Sequence, residues 1–109
     1  MSREALGSFE MMVLLAILRL REDAYGVPIA RELATSSGRD VLLGSVYAAL
    51  DRLRAKGLVS SRVADPTPER GGRGKKYFKV TAKGLRQMRE AQSTLINLWQ
   101  GVPELRGGT

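Results

Sequence analysis

LGSVYAALDRLRAKGLVSSRV, residues 43–63, carries two periodicities on either side of one glycine. Before Gly57, the apolar residues Leu43, Val46, Leu50 and Leu53 recur at spacings of three, four and three, which is a single stripe along an α-helix. Gly44 or Ser45 is placed to cap the start of that helix, and Gly57 to close it. Beyond the glycine, residues 58–63 read as a strand. Ser45, Tyr47, Ala48, Asp51, Arg52 and Arg54 fall on the faces away from the stripe.

Downstream, residues 65–74 consist of turn chemistry: two prolines, an Asp, and glycines at 71, 72 and 74. Residues 75–81 then alternate charged with aromatic or branched side chains, as a second strand does. The two strands form a β-hairpin with a glycine-rich tip. Thr81 is placed to cap a helix over 82–100. Along it Leu85, Met88, Gln92, Leu95, Trp99 and Val102 recur at alternating spacings of three and four, a heptad-like seam suited to a partner helix. Gln92 is its polar exception.

Upstream, Ser8 is placed to cap a helix over 9–20 whose apolar residues cover nearly the whole circumference. Such a helix is buried on more than one side, one toward the core and another toward a second subunit. Tyr25-Gly26-Val27-Pro28 opens a further helix carrying Ile29, Ala30, Leu33 and Ala34, which ends at Gly38. Three helices, a hairpin and a last helix give a mostly α fold with a small β-hairpin wing: a winged helix-turn-helix plus a C-terminal dimerisation helix. The expected organisation is a DNA-binding unit over 1–81, the dimerisation helix over 82–102 packed on it, and a flexible tail over 103–109.

Charge points to the partner. The 109 residues carry a net charge of +7. Twelve basic and three acidic residues lie between Arg52 and Glu90, so the entire excess sits in one stretch. A third helix of this kind is the right size for the major groove. A hairpin carrying Arg70, Arg73, Lys75 and Lys76 can reach adjacent phosphates or the minor groove.

Other function classes find little support. The sequence has no Cys and no His, which removes thiol chemistry, the commonest general base and the commonest metal ligand. No catalytic residue, metal or cofactor is expected. The glycine-rich stretch at 71–76 lacks the spacing of a phosphate-binding loop. The apolar run 11–18 is too short to span a bilayer, and a cytoplasmic location is expected.

These pieces, taken in order, resemble the PadR family of transcriptional regulators. The matching residues are Leu6-Gly7, Phe9-Glu10, Tyr25-Gly26 with Ile29 and Leu33, Gly44 to Leu50 with Arg52-Leu53, Gly57-Leu58-Val59, Arg70 to Arg73, Lys76-Tyr77-Phe78, and Thr81 with Gly84-Leu85. The single helix after the wing is similar to the short subfamily. The resemblance implies a homodimeric repressor on a pseudo-palindromic operator, released by a small aromatic or drug-like effector.

It also implies residue roles. DNA contact falls to Ser45, Tyr47, Arg52, Arg70, Arg73, Lys75 and Lys76. Alternatives stand beside six of these: a helix cap for Ser45, packing beside the wing for Tyr47, and plain solvation for Arg52, Arg73, Lys75 and Lys76. The dimer interface falls to helix one and the last helix, through Phe9, Val13, Leu85, Met88, Leu95, Leu98 and Trp99. Leu95 occupies the effector position that the resemblance implies. Trp99 lies one turn later and is read either as part of that site or as an interface anchor. The competing reading of the whole chain is a winged-helix protein-interaction module without specific DNA binding.

Overall fold

A computed structural model of the chain describes residues 6–64 and 75–106. In order these form α1 (Ser8–Leu20), α2 (Gly26–Ser37), α3 (Leu43–Ala55), β1 (Val59–Val63), β2 (Lys76–Val80) and α4 (Ala82–Trp99). Short 3₁₀ turns follow α1 at Arg21–Asp23 and α4 at Pro103–Leu105. The fold is the mostly helical, winged one that the sequence suggested. The last turn places regular structure inside the segment expected to be a flexible tail.

The core is assembled from one face of each of the first three helices and closed by the hairpin. Val13, Leu14, Ala16 and Ile17 of α1 meet Ile29 and Leu33 of α2 and Val46, Ala49, Leu50 and Leu53 of α3, all buried. Leu58, Val59, Phe78 and Val80 cover them from the wing side. The hairpin is antiparallel, with Val59 opposite Val80 and Val63 opposite Lys76. A third segment joins its free edge. Tyr25 pairs with Tyr77, and the Phe78 N–H donates to the Ala24 carbonyl at 2.8 Å. The wing is thereby hydrogen-bonded to the chain just before α2.

Local rules account for most boundaries. Gly38 ends α2 at φ 71°, the left-handed conformation that glycine adopts without penalty. Thr81 caps α4 as expected: its Oγ1 accepts from the Gly84 N–H at 3.0 Å and donates to the Gly57 carbonyl at 2.7 Å. Gly84 is required by close approach. A Cβ there would collide with the Leu58 carbonyl oxygen and lie 2.8 Å from Val80 Cγ1.

Two caps differ from expectation. The N-cap of α1 is Gly7, not Ser8, because the Glu10 carboxylate folds back to accept the Gly7 N–H at 3.1 Å. The N-cap of α3 is Leu42, so neither Gly44 nor Ser45 caps it. Ser45 sits inside the first turn, its N–H donating to the Leu42 carbonyl at 3.0 Å. Leu43, placed at the head of the buried stripe by its spacing, is exposed.

A candidate nucleic-acid interface

The stripe Val46, Ala49, Leu50, Leu53 turns one side of α3 inward. Ser45, Tyr47, Ala48, Asp51, Arg52 and Arg54 are therefore exposed on the other side. Because the cap role at Ser45 belongs to Leu42, the Ser45 hydroxyl makes no capping bond. Tyr47 is 43% exposed yet far from loose. Its ring lies across the first residue of α2, so that a Cβ on Gly26 would sit 2.5 Å from Tyr47 Cζ and 2.9 Å from Cε1, and nearer still to the hydroxyl.

The neighbouring residue, Tyr25, organises the base of the wing. Lys75 donates from Nζ to the Tyr25 hydroxyl at 3.0 Å, with the ammonium 4.2 Å from the ring centroid. The Tyr25 and Tyr77 rings meet edge to face at 5.3 Å. The Arg62 guanidinium then lies 4.8 Å from the Tyr77 centroid. Lys75, Tyr25, Tyr77 and Arg62 thus form a row of cation, ring, ring and cation where the hairpin meets the start of α2.

The carboxy-terminal end of α3 is tied to α1. Glu10 is 5% exposed. It accepts from Arg52 Nε at 2.9 Å and from Lys56 Nζ at 3.0 Å. Burial pushes the Glu10 carboxyl pKa upward. The hydrogen bonds from Lys56 and Arg52, that from the Gly7 N–H and the Lys56 charge outweigh it, and the pKa lies below its ordinary value. Lys83 Nζ donates to the Lys56 carbonyl at 2.9 Å, binding α4 to the same corner. Arg54 Nη1 reaches Ser61 Oγ at 3.4 Å.

This architecture has close counterparts among known proteins. Residues 14–90 match the Transcriptional regulator PadR-like family. The chain belongs to the PadR-like family. A PadR family transcriptional regulator from Eggerthella lenta DSM 2243 is 30% identical, with a TM-score of 0.68 over 91% of this chain and 84% of the other. The PadR-like transcriptional regulator of Bacillus cereus strain ATCC 14579 is 28% identical, with a TM-score of 0.61 over 86% of this chain and 93% of that one. A PadR family regulator from Clostridium difficile R20291 shares the fold at 20% identity and a TM-score of 0.69, over 93% of this chain and 100% of that one. No curated protein matches.

The expected DNA-contact residues of this PadR-like chain are distributed as follows. Ser45 and Tyr47 share the outer face of α3. Lys75 and Lys76 are half-buried at the base of the wing, where Lys75 is engaged by Tyr25. Arg52 keeps a side chain that is 53% exposed, but its Nε is held by Glu10. Arg70 and Arg73 lie outside the described residues.

The residues expected at a dimer interface separate into two groups. Val13 and Met88 are buried in the chain's own core, at 0% and 8% exposure, and have almost no surface left for a partner. Phe9 and Leu85 pack against the margin of the same core. Leu95, Leu98 and Trp99 are exposed. The α4 seam therefore divides: its first half packs on its own protomer and its second half projects into solvent.

Sequence reasoning missed the exposed Met12, Leu15 and Leu18 on α1. The all-round apolar character of that helix was their signal, but spacing alone does not show which side faces inward. Tyr25 and Glu10 were also missed as site residues, because their partners lie far away in sequence. A concavity of about 460 Å³ opens between Leu18, Arg21, Arg62, Tyr77 and Leu85. Neither Leu95 nor Trp99, the pair read as an effector position, lines it.

Proposed function

We propose that this PadR-like regulator binds double-stranded DNA sequence-specifically as a homodimer, with α3 in the major groove and the wing on the flanking backbone. The observation that carries this reading is the joint at Tyr25-Gly26. There the exposed face of α3, through Tyr47, and the basic base of the wing, through Lys75, meet consecutive residues. Tyr47 and Ser45 supply hydroxyls for phosphate or base edges. Lys75 and Lys76, with Arg70 and Arg73, supply charge for the backbone.

Two copies bring two α3 helices to successive major grooves, about 34 Å apart, which requires an inverted repeat. The exposed ends of α4 and the outer face of α1 support the dimer. Repression, and release by a small aromatic or drug-like effector, follow from family resemblance.

Selection from random duplex DNA at two salt concentrations tests the reading. The expected result is an enriched inverted repeat bound far more tightly than bulk DNA. Weak, steeply salt-dependent binding with no enriched motif would replace it with the protein-interaction reading. On the selected operator, Arg73→Ala, Lys75→Ala and Lys76→Ala together should flatten the salt dependence by about one unit of slope per lost phosphate contact. An unchanged slope removes the wing from the interface.

A further inference from the structure

We infer that Tyr25 and Gly26 are positioning residues that fix the recognition helix and the wing relative to each other, with Gly26 acting on Tyr47. The inference rests on the DNA-binding reading above. It adds that a glycine outside the contact surface sets the pose of the tyrosine within it.

Three observations meet at this joint. The three heavy atoms nearest to a Cβ built on Gly26 all belong to Tyr47: the hydroxyl, Cζ and Cε1. Among the described residues nothing else approaches as closely, so a side chain here displaces Tyr47. Gly26 is buried and begins α2 with the backbone of an ordinary helical residue, so alanine brings no conformational strain of its own. On its other side, the Ala24 carbonyl and the Tyr25 backbone are hydrogen-bonded to β2. The Tyr25 hydroxyl and ring hold Lys75. Three consecutive residues therefore touch both elements that would enter DNA.

Such a joint matters because α3 and the wing carry different parts of the contact. Backbone contacts fix register and orientation, and base contacts specify only when the register is right. A ring shifted by the width of a methyl group moves its hydroxyl out of hydrogen-bond range of any group it had met. The hydroxyl end of the Tyr47 ring is the part packed over Gly26, so the glycine acts on the group that would make the hydrogen bond.

A double-mutant cycle on the full chain tests this, with Gly26→Ala, Tyr47→Ala and the pair compared on the selected operator. Each single substitution should weaken binding about tenfold, the size expected for one hydrogen bond to a charged group. The double variant should be no worse than Tyr47→Ala alone, because the displaced ring is absent. Losses that multiply, or a Gly26→Ala variant within about twofold of the parent on a scale where tenfold is 1.4 kcal/mol, overturn the inference.

Ring resonances of Tyr47 in ¹³C-tyrosine-labelled protein give a readout independent of DNA. They should move in Gly26→Ala; unmoved resonances overturn the positioning role. If they move while Tyr47→Ala binds operator normally, the DNA-contact reading of Tyr47 has failed and the positioning role stands. Should Gly26→Ala fold poorly, restored folding in the double variant supports the inference, and a double variant equally unstable sinks it.

Discussion

Replacing Glu10 with Ala should cost the folded protein about 3 kcal/mol, the range for removing one partner from a buried ion pair. Glu10 is the one buried charged side chain among the described residues, and it satisfies three donors: the local Gly7 N–H, and Arg52 and Lys56 from the distant end of α3. Without it, the half-buried Lys56 ammonium loses the Glu10 carboxylate from among its partners, and the Gly7 N–H at the start of α1 loses its acceptor. Arg52, more exposed, recovers part of its loss from water. Urea denaturation of the parent and the variant measures the difference. A loss under about 1 kcal/mol would place this pair with ordinary surface ion pairs.

The same group sets a pH dependence. The folded-state carboxyl pKa lies below the ordinary 4.5, so the unfolded chain binds the proton more readily than the folded one. The stabilisation is complete above pH 4.5 and is lost as the pH falls through the lower folded-state value. The stability gap between the parent and Glu10→Gln should therefore narrow on acidification below that range. A gap that widens there would contradict the assignment.

The second large effect concerns self-association. If the end of α4 is the core of the proposed homodimer interface, Leu98→Asp combined with Trp99→Ala should weaken that dimer by more than about a hundredfold, because the new charge would meet no compensating partner while an aromatic anchor is removed. The isolated protomer should keep its fold, since these side chains are 70% and 58% exposed within it. Sedimentation equilibrium separates the two effects. An unchanged dimer constant would move the interface away from the end of α4. Specific operator binding should fall with dimerisation, because a single α3 reaches only one half-site.

Much of this molecule is legible in its sequence where the determining physics is local. The spacing of Val46, Leu50 and Leu53 orients α3, Gly38 ends α2, and Thr81 starts α4. Each of these depends on neighbours within a turn or two. Illegible were the features that depend on distant partners. Glu10 reads as an acidic residue in a first helical turn, and only packing brings Arg52 and Lys56 to it. Lys75 reads as one more wing cation until Tyr25 arrives beside it. The α4 seam reads as one continuous stripe. Its division at Met88 follows from where the core ends, which the period of a helix does not encode. Val13 fails in the same way, as one apolar residue on a helix apolar all round.

The exposed second half of α4 has a thermodynamic consequence. From Gln92 to the end of the helix every residue is exposed in the single chain, so no side chain of that segment is buried in the core formed by the described residues. If a second copy covers it, ordering the segment and pairing the chains become one event governed by mass action. The midpoint of thermal unfolding would then rise with protein concentration. On dilution the distal turns would fray first, and their amides would exchange with solvent while those before Met88 stay protected. The length of usable helix would then report how many copies of the protein the cell contains.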